Sequence, residues 1–346
     1  MTSRMFAQLW IAILVLGAGA LPLSAQDEEK GIKAEVFIAN RPKESSGRRT
    51  TVSRKPTYKT SASATAAVPP PGKEFAQVGV TVWRFRPATS ADKTKELVEE
   101  EDSPPTQWSL ERISEGTLLA PGQRVRLGIE SLSRDGHLYV INREQYADGS
   151  FGEARLVFPT KRTPEGGNRV KAGRIIYIPG APRYFRIKPS QTSKGHVAEV
   201  LTVLVSAKPL VDPAQFGNGP WVIDAARLAD WQKQWTAVPT KFEMEGGVGQ
   251  TMTDKEQAAG LVQSELTQDE PVPQTIYRLT VKPEDTLLVT VPLSFVNPKA
   301  QMTSPSKPEV ATQKQRVSKR RHAAARKKQV RRKAATLMAW KISATT

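Results

Sequence analysis

The densest chemistry in this chain is a run of cations. Between Lys314 and Lys333 stand eleven basic side chains with no acid, no Gly and no Pro. Lys319, Arg320, Arg321, Arg326, Lys327, Lys328, Arg331, Arg332 and Lys333 are the candidate anion-binding residues. Ala, Arg, Lys and Gln favour helix, but like-charge repulsion opposes that helix until an anion neutralises it. The run is expected as a helical or disordered arm for an anionic envelope polymer or lipid. Each basic residue near an anionic membrane contributes about 1 kcal/mol, screened by salt. The competing reading is a solvated tail with no dedicated partner.

Other reactive types are sparse or scattered. The histidines are His137, His196 and His322, and no pair has metal-ligand spacing. There is no cysteine, so a zinc site would need both body histidines plus carboxylates. No metal and no cofactor are therefore expected. Glu245-Gly246-Gly247-Val248-Gly249-Gln250-Thr251 has the glycines of a phosphate loop but lacks its lysine and a leading apolar strand, and reads as a turn. No G-x-S-x-G elbow is present. Carboxylates are many, but none stands out as a glycosidase pair. Asp135 and Asp148 read as turn residues, and Glu99-Glu100-Glu101-Asp102 as a solvated face. The expectation is a non-enzymatic protein, with a carboxylate-dependent secreted hydrolase as the alternative.

The flanks decide where this chemistry operates. Arg4 followed by the apolar run Met5 to Leu23 and the small residues Ser24-Ala25 has the pattern of an export signal, spanning 1–25. An uncleaved anchor is the alternative, since about 18 apolar residues approach bilayer thickness. Gly17, Gly19 and Pro22 favour cleavage, which would leave no transmembrane span and a periplasmic or secreted protein. Outside the cytosol, nucleic acid is the least favoured partner. The net charge of +17 is carried by the flanks, because residues 76–306 hold 27 basic and 27 acidic side chains. Basicity therefore describes the ends and not the body.

The elements between the flanks read as short strands. Residues 26–75 are expected as a mostly disordered linker, rich in Arg, Lys, Ser, Thr, Ala and Pro over 40–74. Within it Ile32 to Ala39 could form a short docked strand or helix. Val78, Val80 and Val82 alternate as in a strand. Residues 91–101 read as an exposed helix stopped by Pro104-Pro105, and Trp108 to Ile113 as a strand. Val125, Leu127 and Ile129 form a strand face, with Asp135-Gly136 as a turn signal and His137 to Asn142 as the return strand. Leu156 to Phe158, Ile175 to Ile178, Tyr184 to Ile187 and Val200 to Val205 follow.

Asp224 is the expected N-cap of a helix to Trp235, whose Leu228, Trp231 and Trp235 share a face. Thr253 and Glu256 form a capping-box pattern for a helix to Leu266. Ile276 to Val281 and Leu287 to Phe295 are expected to pair as a hairpin, with Pro292 at an edge. The fold expected is mainly β: an antiparallel sandwich or barrel-like body over 76–298, centred on 124–210. A few peripheral helices accompany it, and a basic tail covers 299–346.

The central block resembles the bacterial domain of unknown function 4384 family. The likeness is carried by Asp135-Gly136-His137-Leu138-Tyr139-Val140-Ile141-Asn142, Leu156-Val157-Phe158-Pro159, Asn168-Arg169-Val170-Lys171-Ala172-Gly173, Ile176-Tyr177-Ile178-Pro179 and Val203-Leu204-Val205-Ser206 before Lys208-Pro209-Leu210. Gly79 to Pro87 and Leu266 to Tyr277 resemble the flanking segments of exported members, so the likeness covers about 76–296. The resemblance implies an accessory role, because other members join this domain to peptidase-like or kinase domains. It brings no catalytic residue with it, and the basic tail lies outside it.

Overall fold

Four sets of apolar residues repeat at every second position: Val78, Val80 and Val82; Val125, Leu127 and Ile129; Leu201, Val203 and Val205; and Leu287, Val289, Val291 and Leu293. A period of two puts each set on one strand face. In the computed structural model all four faces close on one core. The structure describes residues 32–43, 56–60, 69–100, 103–164, 167–189, 194–235, 237–262 and 265–296.

The strands are β1 (Ile32–Lys33), β2 (Thr57–Thr60), β3 (Glu74–Pro87), β4 (Glu96–Glu100), β5 (Ser103–Ile113), β6 (Arg124–Ser131), β7 (Gly136–Tyr146), β8 (Arg155–Phe158), β9 (Arg169–Val170), β10 (Ile176–Ile178), β11 (Phe185–Arg186), β12 (His196–Ser206), β13 (Trp221–Val222), β14 (Thr240–Met244), β15 (Thr275–Val281) and β16 (Leu287–Ser294). The helices are α1 (Glu35–Ile38), α2 (Ala225–Trp235) and α3 (Asp254–Val262). One sheet runs β1-β2-β14-β15-β3-β5-β4, with β6 along the other side of β3 and β10 and β11 on β6. The other runs β13-β8-β7-β12-β16, with β9 on β7. The body is thus mainly β, with antiparallel sheets packed face to face as in a sandwich.

The outer faces are covered locally. Trp83, Phe85 and Leu110 on the larger sheet pack with Tyr177 and Met252, ahead of α3. Tyr139, Ile141, Leu204 and Leu288 on the smaller sheet bury Leu228 of α2, against which Trp231 and Trp235 are half-buried. The expected caps are present. The Asp224 carboxylate accepts from the Ala226 and Arg227 amides at 2.7 and 3.2 Å. Thr253 N–H donates to Glu256 Oε2 at 2.9 Å, and Glu256 N–H donates to Thr253 Oγ1 at 3.3 Å. Among the described residues no helix is long and apolar enough to cross a membrane.

Three expectations change. Ile276 to Val281 and Leu287 to Phe295 do not pair. β15 lies between β14 and β3 in one sheet, and β16 lies on β12 in the other. The same holds for β6 and β7, which follow one another and sit in opposite sheets. Alternation states which face is buried but not which strand is the neighbour, so a short turn serves a crossing between sheets as well as a hairpin. Gly136 matches this role, because a Cβ there would lie 2.8 Å from Val205 Cγ1 and 2.9 Å from Ser206 O. Pro292 does sit on an edge strand, since β16 pairs with β12 alone.

The exposed helix expected over 91–101 is replaced at its end by β4, paired with β5. Val98 is buried with Trp83 and Phe85, and Glu96 meets the buried Arg126 at 2.7 Å. Tertiary contacts override a local helix preference. Finally, the docked segment expected over Ile32 to Ala39 is present as β1 and α1, and the fold reaches further into the expected linker, to residues 40–43 and 56–60. Phe37, Ile38 and Tyr58 bury themselves against Phe242 and Ile276, and Arg41 is sealed inside. The signal pattern at 1–25, residues 44–55 and 61–68 of the linker and the tail from 297 lie outside the described residues.

Candidate functional site

A groove of about 380 Å³ opens where the two sheets part, between β8 of the smaller sheet and β10 and β11 of the larger. Its apolar floor is Val157, Phe158, Ile176, Ile178 and Phe185. Arg162, Arg174 and Arg183 line it, and among the described residues no Asp or Glu does. Arg162 and Arg183 are exposed, and Arg174 is half-buried. Among the described residues neither Arg162 nor Arg183 is in an ion pair. Among the described residues, positive charge thus gathers around this apolar concavity. Concave, largely apolar sites with a few convergent polar groups are the usual form of ligand pockets.

The rim is held by buried polar bonds. Arg126 on β6 donates from Nε and Nη2 to the Arg183 carbonyl at 3.1 and 2.8 Å, while Glu96 takes its other hydrogen bonds at 2.7 and 2.9 Å. The turn at 160–163 is closed by Thr163 N–H to Thr160 O at 2.8 Å, and Lys161 N–H ties it to Gly217 O at 2.8 Å. Tyr177 anchors α3 at the far wall by donating to Glu256 O at 3.0 Å. Its ring lies where a side chain at Gly260 would be. Burial raises the Tyr177 hydroxyl pKa, so it stays protonated and remains a donor.

A second cavity, about 310 Å³, lies between α1, β14 and the start of α3. It carries Glu256, Asp269 and Glu270, but Glu256 and Glu270 are engaged in the fold. Glu256 is the counter-ion of the buried Arg112. Glu270 accepts from Thr267 N–H at 2.6 Å and pairs with Lys255 at 2.9 Å. These two carboxylates hold loops in place instead of facing a substrate.

The two histidines among the described residues do not converge. His137 lies opposite Ser206, at one end of the β7–β12 ladder, and His196 lies opposite Tyr146 at the other. His196 does meet carboxylates, however. Glu144, His196 and Glu199 offer ligand atoms that all lie within 4.8 Å of one another. Glu144 and Glu199 are direct cross-strand partners. Burial first, and then the Glu144 charge, push the Glu199 carboxyl above its ordinary range, while Asn142 and His196 act the other way. His196 and Glu199 are three apart, which in a regular strand means opposite faces. A bulge between His196 and Ala198 brings them to one side.

Sequence reading placed the candidate anion site at Lys319, Arg320, Arg321, Arg326, Lys327, Lys328, Arg331, Arg332 and Lys333, all outside the described residues. It did not single out Arg162, Arg174 and Arg183, which stand at irregular spacing and converge only through the meeting of two sheets. The Glu245–Thr251 segment is a turn with glycines of positive φ at Gly246 and Gly249. No family model, no curated protein and no solved structure matches this chain.

Proposed function

We propose that the protein is an exported, non-enzymatic binding module of the cell envelope, and that its ligand site is the arginine-rimmed groove between β8 and β10–β11. The ligand would carry an anionic group on an apolar body, such as a lipid phosphate. The observation that carries this reading is the lining itself: three arginines gathered over an apolar floor. Export rests on the Arg4 and Met5–Leu23 pattern. Membership of residues 76–296 in the domain of unknown function 4384 family is part of the same proposal and rests on the motifs alone. The basic run 314–333 would add a second, salt-sensitive attachment to an anionic surface.

The test separates groove from tail. Binding of a soluble long-chain alkyl phosphate and of anionic phospholipid vesicles is measured for the full chain, for Arg162→Glu/Arg183→Glu and for a chain truncated after Pro308. An exposed charge pair contributes up to about 1 kcal/mol, so reversing both arginines should weaken the soluble ligand by about tenfold or more. Truncation should leave that ligand untouched and lower vesicle binding. Equal affinity of the double variant for the alkyl phosphate would overturn the groove assignment. Turnover of a glycan or peptide would overturn the non-enzymatic reading.

A further inference from the structure

We propose that Glu144, His196 and Glu199 form a binding site for a first-row divalent cation of the zinc or manganese class, clipping β7 to β12. The three stand on the core-facing side of the smaller sheet, next to Leu201 and Leu293, with Phe295 of the core against His196. Glu144 lies directly opposite Glu199, an arrangement that destabilises a sheet when both are charged.

Other buried or half-buried carboxylates of the body meet a cation: Glu130 with Arg41, Glu256 with Arg112, Glu96 with Arg126, Glu111 with Arg84 and Arg86, Asp92 with Arg86, and Glu115 with Lys241. Among the described residues no Lys or Arg forms an ion pair with Glu144 or Glu199. Lys194 lies over the Tyr146 ring, 5.5 Å from its centre. What faces the two carboxylates is the imidazole of His196, whose side chain is wholly enclosed beside Phe295 and Tyr146.

The surroundings orient the ligands as outer-shell groups do at metal centres. Tyr146 donates its hydroxyl to Glu144 Oε2 at 2.6 Å. Asn142 donates from Nδ2 to Glu199 Oε2 at 2.8 Å. Glu199 Oε1 is left toward the ring, 3.6 Å from His196 Nε2. Tetrahedral ligands about 2.0–2.2 Å from one zinc ion stand about 3.4 Å apart, so atoms up to 4.8 Å apart must draw together by about an ångström to close on an ion. His196 Nε2 also lies 2.9 Å from the Ala198 carbonyl, and an ion bound at Nε2 exchanges that hydrogen bond for itself. Two carboxylates balance a divalent charge, and the imidazole nitrogen selects transition ions over calcium and magnesium.

The experiment uses the full chain, stripped with a chelator, and reads zinc and manganese binding by calorimetry together with the thermal midpoint. One ion per chain should bind and raise the midpoint. Glu144→Gln removes the like-charge contact, so it should fold with an unchanged or higher midpoint without metal while losing the metal-dependent rise. Glu199→Gln should behave alike, and His196→Asn should weaken binding about 100-fold or more. Tyr146→Phe should weaken it about tenfold. His137→Asn should bind as the parent does. Binding that survives both glutamine variants, or no binding at all, would overturn the site.

Discussion

Arg41 reaches from the segment ahead of the body to Glu130 on β6 and grips it twice, Nε to Oε1 at 2.8 Å and Nη2 to Oε2 at 2.7 Å, with both side chains sealed from solvent. Its remaining nitrogen, Nη1, donates to the carbonyls of Thr267, Glu270 and Pro271. Glu130 Oε1 also takes the Gly173 amide at 2.7 Å. A buried ion pair is tolerable only when its spare donors and acceptors are met in this way, and removing one partner costs about 3–5 kcal/mol. Arg41→Ala should lower the urea-unfolding free energy by that amount and open residues 32–43 to protease. A loss below about 1 kcal/mol would show that the pair does not anchor the segment.

Glu256 serves two structures at once. It closes the capping box with Thr253 and neutralises Arg112, whose Nη1 also donates to Val272 O at 2.8 Å. Thr253→Ala removes a cap and should cost about 1 kcal/mol. Glu256→Gln leaves a buried guanidinium uncompensated and should cost about 3–5 kcal/mol. Denaturant titrations of both variants check the order. Equal losses would mean that Glu256 acts as a cap and little else.

Gly260 in α3 is predicted to resist the usual improvement. Replacing a helical glycine by alanine gains about 1 kcal/mol where nothing intervenes. Here the new methyl would overlap the buried Tyr177 ring, and overpacking costs about 1–3 kcal/mol. Gly260→Ala should therefore be destabilised. A raised thermal midpoint would refute the close packing of α3 on β10.

Asp92 supplies a pH dependence. Hydrogen bonds from Arg86, at 2.8 and 2.6 Å, and from the Thr89 amide hold its carboxyl well below the usual carboxylate range. The folded value is depressed, so the ionised form favours the fold. The contribution is complete above the unfolded value, about 4, and fades as pH falls through the folded value. The difference in thermal midpoint between the parent and Asp92→Asn should be largest near neutral pH and shrink in acid. A difference that stays constant would exclude the linkage.

Much of the strand content was legible in the sequence, because alternation such as Val125, Leu127, Ile129 survives burial of a single face. Both longer helices were legible from Asp224, Thr253 and Glu256, whose side chains bond the amides they were expected to bond. Neighbourhood was not legible. Whether β15 turns back onto β16 or passes to the other sheet depends on which distant strand offers the better partner. The candidate sites were hidden for the same reason. Arg162 and Arg183 meet only where two sheets separate. Odd spacing places His196 and Glu199 on opposite faces of an ideal strand, and one inserted residue, Val197, reverses that without a residue type that announces it.

The division of β15 and β16 between the two sheets has a consequence in time. β15 is an interior strand, flanked by β14 and β3, and β16 covers β12. Both sheets therefore wait for residues 275–294 before their last ladders can form, and those ladders join segments as far apart as Phe75 and Thr280. Such remote pairing slows folding, to milliseconds or longer in β-rich domains. A ribosome-bound chain lacking residues 275–294 would keep the edges they cover open.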